Sequence, residues 1–285
     1  MPFVMAVLSS MLYGVADFLG GMGSRRAPAV TVTAWFQVTG LAFLVAYACF
    51  APGATRVSDL GWGAAAGLTG GAGVLLLYRA LAGGTVSTAA PLISMIALTV
   101  PVLVGLGMGE RPGVLPLAGI GLGVIAVALI SAHGAPAEAG SASAGTGAGR
   151  AASLLPAVAS GVLIGLFLVC LGRVERGASA WALVAGRASA SILLWVMVLA
   201  SRATWKLAAA ARPPMLGAAV TDVCANVLYL VAVQRAPLSL VATLVSLAPA
   251  TTVLLAQLVL RERLAPVQKV GVVVALAAVV LLAQG

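Results

Sequence analysis

Residues 92–130 recur at 244–282, and that recurrence restricts the fold more than any other feature of the chain. At an offset of 152 positions, 11 of 39 residues are identical, among them Ser94/Ser246, Thr99/Thr251, Glu110/Glu262, Arg111/Arg263 and Gly119/Gly271. Leu, Val and Ala coincide often by chance in so apolar a chain, but a Glu-Arg pair does not. Each copy is an apolar run of about 20 residues, the Glu-Arg pair, and then a glycine that opens a second apolar run. At 1.5 Å rise per residue this describes two membrane-length helices joined by a tight turn, used twice.

The surroundings leave no watery surface for such helices. The chain is 62% hydrophobic and 8% charged, with a mean hydropathy of +1.13, whereas soluble domains carry about 25% charged residues. The net charge of +9 comes from arginines and lysines placed almost singly at the ends of apolar runs. That is the habit of loop residues in a membrane protein, and it forms no nucleic-acid patch. Heavy Arg, Ala, Gly and Val usage points to a GC-rich bacterial genome. Cys49, Cys170 and Cys224 each fall within apolar runs as small packing residues. One histidine, His133, cannot build a histidine metal site, so no metal or cofactor is expected. The first 22 residues lack a preceding positive region, and Arg25 and Arg26 follow them, so this stretch reads as a first span and not a cleaved leader.

Apolar runs separated by charges or Pro/Gly-rich breaks predict ten spans, at 3–22, 29–50, 60–78, 86–107, 114–132, 154–172, 179–200, 214–233, 238–260 and 267–284. A Gly/Ala/Ser-rich linker at 133–153 separates a first unit, 1–132, from a second, 154–285. Five is odd, so each unit begins and ends on opposite sides of the bilayer. The expected fold is therefore an all-α membrane protein of ten transmembrane helices, arranged as two inverted-topology five-helix repeats. Such repeats are a recurring plan in secondary transporters.

Gly63, Gly67 and Gly70, at i, i+4 and i+7, and Gly161 with Gly165, are small-residue faces that let helix backbones approach closely. Pro91 and Pro101 in the fourth span and Pro249 in the ninth predict kinks. They either mark a transport site, as broken helices in matching places do, or only bend helices to fit.

The residues Tyr78-Arg79-Ala80-Leu81 ahead of Pro91-Leu92, then Glu110 and Gly119, resemble the EamA-type family of the drug/metabolite transporter superfamily. Tyr229, Pro249, Glu262 and Gly271 carry the likeness in the second half, and the opening 13–21, YGVADFLGG, resembles that family's bacterial members. The resemblance spans the chain outside the linker. It implies a ten-helix carrier of the bacterial inner membrane that moves small metabolites, often outward, by alternating access. One departure is visible: where Pro249 stands in the second half, the first has Ala97, with Pro101 four residues later.

Ionisable groups inside a membrane are costly and mark pathways or pairs. Asp17, Arg187 and Asp222 lie within predicted spans. Asp222, Asn226 and Tyr229 share one helical face, as do Tyr13 and Asp17; Gln37, Gln257 and the family-motif Tyr78 complete the candidate pathway. Opposite Asp222, the first half offers Gly70 or Gly71. The expectation is a central cavity lined by these residues. Arg187 and Asp222 either neutralise each other or hold the two ends of a zwitterionic or anionic substrate. Asp17 is a proton-titrating or cation-contacting group if it lies deep, and merely hydrated if it lies at the interface. The tyrosines could equally be belt residues. Glu110 and Glu262 read as turn and helix-end residues.

Ten of the sixteen Lys and Arg fall on odd-numbered connections and five on even ones. The positive-inside rule would then place both termini outside, whereas the resemblance implies both inside. A membrane enzyme would need clustered nucleophile, base or paired carboxylates, and the carboxylates here are scattered. The expected function is a secondary transporter, an exporter of a small polar metabolite or drug-like compound, with protons as a candidate coupling ion and a monomer or homodimer as its state. The competing reading is a non-transporting membrane subunit or a lipid flippase component.

Overall fold

The computed structural model describes residues 1–24, 26–51, 53–54, 56–82, 86–131, 147–175, 180–260 and 265–284, with side chains described throughout these except at 77–82, 86–92, 131, 147–154 and 260. Among the described residues there are eleven α-helices, one short 3-10 turn and no paired strands. They are α1 (Pro2–Ser24), α2 (Ala29–Phe50), α3 (Val57–Ala82), α4 (Val86–Gly107), α5 (Val114–Ser131), α6 (Gly147–Gly172), α7 (Trp181–Ala200), α8 (Arg212–Val233), α9 (Leu238–Val245), α10 (Ala248–Leu260) and α11 (Pro266–Leu282). Six helical segments are long and apolar enough to cross a bilayer, and further apolar helices are shorter. The outward faces carry residues such as Leu103, Ile192, Leu199, Leu258 and Val273, all exposed. This apolar exterior suits lipid, where every backbone group must be satisfied within its own helix.

Two elements differ from the sequence expectation. α6 begins at Gly147, inside the predicted linker, because Arg150-Ala151-Ala152 is good helix-forming sequence. The ninth span is two helices. α9 stops at Val245, and Ser246 and Leu247 form a turn before α10 starts at Ala248. Pro249 therefore does not kink a continuous helix. It occupies the first turn of a new one, where its missing N–H costs nothing. Pro101 lies within α4, which runs unbroken through it, and the Pro91 side chain lies outside the described residues.

The two halves pack by exchange. α1 packs on α8, and α6, its counterpart, packs on α3. α1 also meets α9 and α10 as α6 meets α4, while α2 meets α7 and α5 meets α11. Individual bonds obey the same exchange. Ser9 Oγ donates to the Ala225 carbonyl at 2.8 Å, and Ser160 Oγ donates to the Gly73 carbonyl at 2.8 Å. Gly119 lies against Leu281 and Leu282, and Gly271 against Leu129 and Ile130. Each pair is the other shifted by 152 positions, with the serines one residue off.

Close approach depends on glycine at the α3–α7 crossing. A Cβ on Gly63 would overlap the Ala182 carbonyl oxygen, and one on Gly67 would overlap that of Gly186. The backbones touch directly, which is how helices associate where lipid supplies no hydrophobic drive.

The Glu-Arg turn also has a job. α4 ends because Gly109 adopts φ +92°, which a residue with a Cβ resists. The Glu110 N–H then reaches back to the Gly105 carbonyl at 3.1 Å, closing a Schellman-type cap. This aims the Glu110 carboxylate at the other half, where its oxygens accept the N–H groups of Leu238 at 2.5 Å and Ser239 at 2.9 Å. A first-half turn thereby caps α9, whose own N-cap residue, Pro237, supplies no side-chain acceptor. Glu262 lies outside the described residues.

Gly67→Ala is expected to lower the melting temperature of the detergent-purified protein, since overpacking costs about 1–3 kcal/mol. Gly61→Ala on the same helix, where a Cβ meets nothing within 4 Å, should leave it unchanged. Equal melting curves for the two variants would rule out backbone contact at this crossing. Glu110→Ala should also destabilise, by roughly 0.5–2 kcal/mol, the usual loss with a helix N-cap.

Candidate substrate cavity

Between the halves lies a cavity of about 330 Å³. α1, α2, α3, α4, α6, α7, α8 and the α9–α10 break all contribute to its wall, and α5 and α11 do not. The lining repeats with the chain: Ser94 and Ser246, Ala97 and Pro249, Gly70 and Asp222, and Val74 and Asn226 are pairs 152 positions apart. The cavity thus sits where the halves exchange. Its shape is nearly balanced and its chemistry is not, because the second half supplies Asp222 and Asn226 where the first supplies Gly70 and Val74.

Of the pathway residues expected from sequence, Tyr13, Asp17, Gln37, Arg187, Asp222 and Asn226 line this cavity together. Arg187, on α7, is buried to 7% exposure and forms an ion pair with Asp222 on α8. It also donates to Gln37 Oε1 on α2, and its guanidinium lies 4.9 Å from the centre of the Phe36 ring. Asn226 Nδ2 steadies the acid, donating to Asp222 Oδ2 at 2.8 Å and to its backbone carbonyl at 2.8 Å. The charges neutralise each other inside the protein, as buried charges must. Gly40 makes room, since a Cβ there would fall 3.2 Å from the guanidinium.

α1 presents a different arrangement. Asp17 is exposed and lines the cavity, and among the described residues no ion pair or hydrogen bond engages its carboxylate. One turn earlier, the Tyr13 hydroxyl is buried without a hydrogen-bond partner among the described residues.

Two expected residues fall elsewhere, and a third is not described. Tyr229 is completely buried away from the cavity, and its hydroxyl donates to the Leu168 carbonyl at 2.8 Å. It shares a helical face with Asp222, but seven residues carry it about 10 Å farther along the axis, into packing against α6. Gln257 is exposed and off the lining, because eight residues from Pro249 rotate it roughly 80° off that residue's face. The Tyr78 side chain lies outside the described residues. Conversely, Phe36, Phe167, Ser94 and Ser246 line the cavity without having been singled out as pathway residues. Ser94 and Ser246 had a signal, for they are identical across the repeat. The phenylalanines had none in so apolar a chain.

The sequence profile of the EamA-like transporter family matches residues 1–132 and 152–284. The chain belongs to this family, and is a multi-pass membrane protein of the transporter class. In structure it is similar to a crystal structure of a protein at 18% identity, with a TM-score of 0.76, covering 98% of this chain and 95% of that one; this likeness concerns the fold alone. No curated protein matches the chain.

Arg187→Met strands Asp222 in a poorly hydrated wall and is expected to cost about 3–5 kcal/mol, read as a fall in melting temperature. The double variant Arg187→Met/Asp222→Asn should recover most of that loss. If the double variant is as unstable as the single, the pair is not the source of the effect.

Proposed function

We propose that the protein is a secondary transporter that moves a small, largely apolar compound with a polar or charged group across the bacterial inner membrane, outward, by alternating access. The observation that carries this reading is the position of the cavity on the line of exchange between two repeated halves. Two equivalent bundles around one chamber can rock to open it to either side in turn, which is the usual logic of inverted repeats. The odd number of spans per half supports the inverted arrangement. The contact exchange supports a two-fold relation between the halves.

Three features fit carriage. The break between α9 and α10 brings Val245, Ser246, Ala248 and Pro249 to the cavity wall, and interrupted backbone at membrane depth is tolerated where it lines a cavity. The volume is in the range of small-molecule sites, roughly 300–1,000 Å³. The Arg187–Asp222 pair holds α7 and α8 in register while leaving the α1 wall free to meet a substrate. Asp17 is the group we assign to contact the substrate or to carry a coupling proton.

Comparing solutes exported by cells with and without the protein, by untargeted mass spectrometry, should identify the compound. Purified protein in liposomes should then move it. Asp17→Asn is expected to reduce that flux at least about tenfold, equivalent to roughly 1.4 kcal/mol, at unchanged insertion and melting temperature. Parental flux in Asp17→Asn removes Asp17 from the pathway; no flux in any condition defeats the carrier reading.

A further inference from the structure

We infer that the cavity selects organic cations: a compound with an ammonium group held by Asp17 and the Tyr13 hydroxyl, and an apolar body lodged toward Phe167 and the glycine face of α3. This rests on the carrier reading and names its substrate class.

The charge balance of the wall leads here. Among the described residues, three ionisable side chains other than tyrosine line the cavity: Asp17, Arg187 and Asp222. Arg187 is committed to Asp222, to Gln37 and to the face of Phe36. Asp222 is committed to Arg187 and Asn226. That pair is closed on itself, so it has no free cation to receive a carboxylate or phosphate. A zwitterion bound end to end across Arg187 and Asp222 would have to break it first. Asp17 is left as one acid with no partner among the described residues, facing a mainly apolar chamber.

An acid in a largely apolar wall is compensated by water, by a proton or by a cation. A cation in that role would come from outside, because the one arginine among the described lining residues is engaged. The neighbouring hydroxyl sharpens the class. Tyr13 lies one helical turn from Asp17 on the same face, and its buried oxygen is unpartnered. A carboxylate accepts hydrogen bonds only, and a phenol oxygen can also accept one. Two acceptors one turn apart suit an ammonium with more than one N–H, that is, a primary or secondary amine in preference to a quaternary one. The rest of the wall, with Phe36, Phe167, Gly67, Gly70 and Gly71, favours an aromatic or aliphatic body and offers few donors to a sugar-like one.

Three probes sharing one naphthyl body provide the test: 2-(1-naphthyl)ethylamine, 2-(1-naphthyl)ethanol and 1-naphthylacetic acid. Their binding to detergent-purified protein is measured by equilibrium competition and melting shift at pH 7. The amine should bind at least about tenfold tighter than the alcohol, and the acid weakest, a tenfold ratio being a modest ion-pair difference. Asp17→Asn should abolish the preference for the amine while melting like the parent without probe, and Tyr13→Phe should weaken the amine severalfold and leave the alcohol unchanged. Equal binding of amine and alcohol, tighter binding of the acid, no binding of any probe, or a preference that survives Asp17→Asn overturns the cation class. Liposome flux separates this from carriage itself. A protein that moves an anion refutes the inference and keeps the carrier, whereas one that binds the amine selectively but moves no solute keeps the class and refutes carriage.

Discussion

The ion pair between Arg187 and Asp222 is the interaction on which the interior depends. A guanidinium buried among helices is tolerable only when its charge and donors are met, and here α2, α7 and α8 meet them jointly through Gln37, Phe36 and Asp222. This fixes the rotation of three helices at once. It also decides what the remaining wall can offer, because among the described residues the cavity's one cation is spent internally and its second acid is not.

Around that pair, the packing follows the rule for lipid, in which shape replaces hydrophobic drive. Backbone meets backbone at Gly63 and Gly67, hydroxyls bridge helices at Ser9 and Ser160, and α5 and α11 close on each other through Gly119 and Gly271. The contacts that build the outer frame are nearly the same in both halves. The chemistry that faces the chamber has diverged, Gly70 against Asp222 and Val74 against Asn226, so one frame serves as an even container for an uneven site.

Most of the frame was legible because span length and the 152-residue period are strong signals, and both act over dozens of residues. The cavity was legible in part for the same reason: a charge inside an apolar run has few places to go, so Asp17, Arg187 and Asp222 could be picked out singly. What could not be read was anything that needs phase along an axis or a partner in space. Tyr229 shares the face of Asp222 but lies beyond the chamber. Pro249 signals a fault in the helix without saying whether the fault is a bend or a full stop. Glu110 looked like an ordinary turn residue, and only the fold reveals that its target is the amide end of α9. Serines 94 and 246 stood in plain view as identities, yet a serine in a membrane helix back-bonds to its own turn often enough that identity did not announce a chamber.

Glu110 carries a mechanical corollary. It belongs to the first half, and the amides it holds belong to the second, in the short helix that precedes the break. Any rocking of one half over the other must either drag α9 along with the first-half turn or shear a carboxylate off two peptide N–H groups. The eight residues of α9 are therefore a splint shared between the two bodies, and the Ser246–Leu247 step behind it is the nearest joint at which the remainder of that span could swing free.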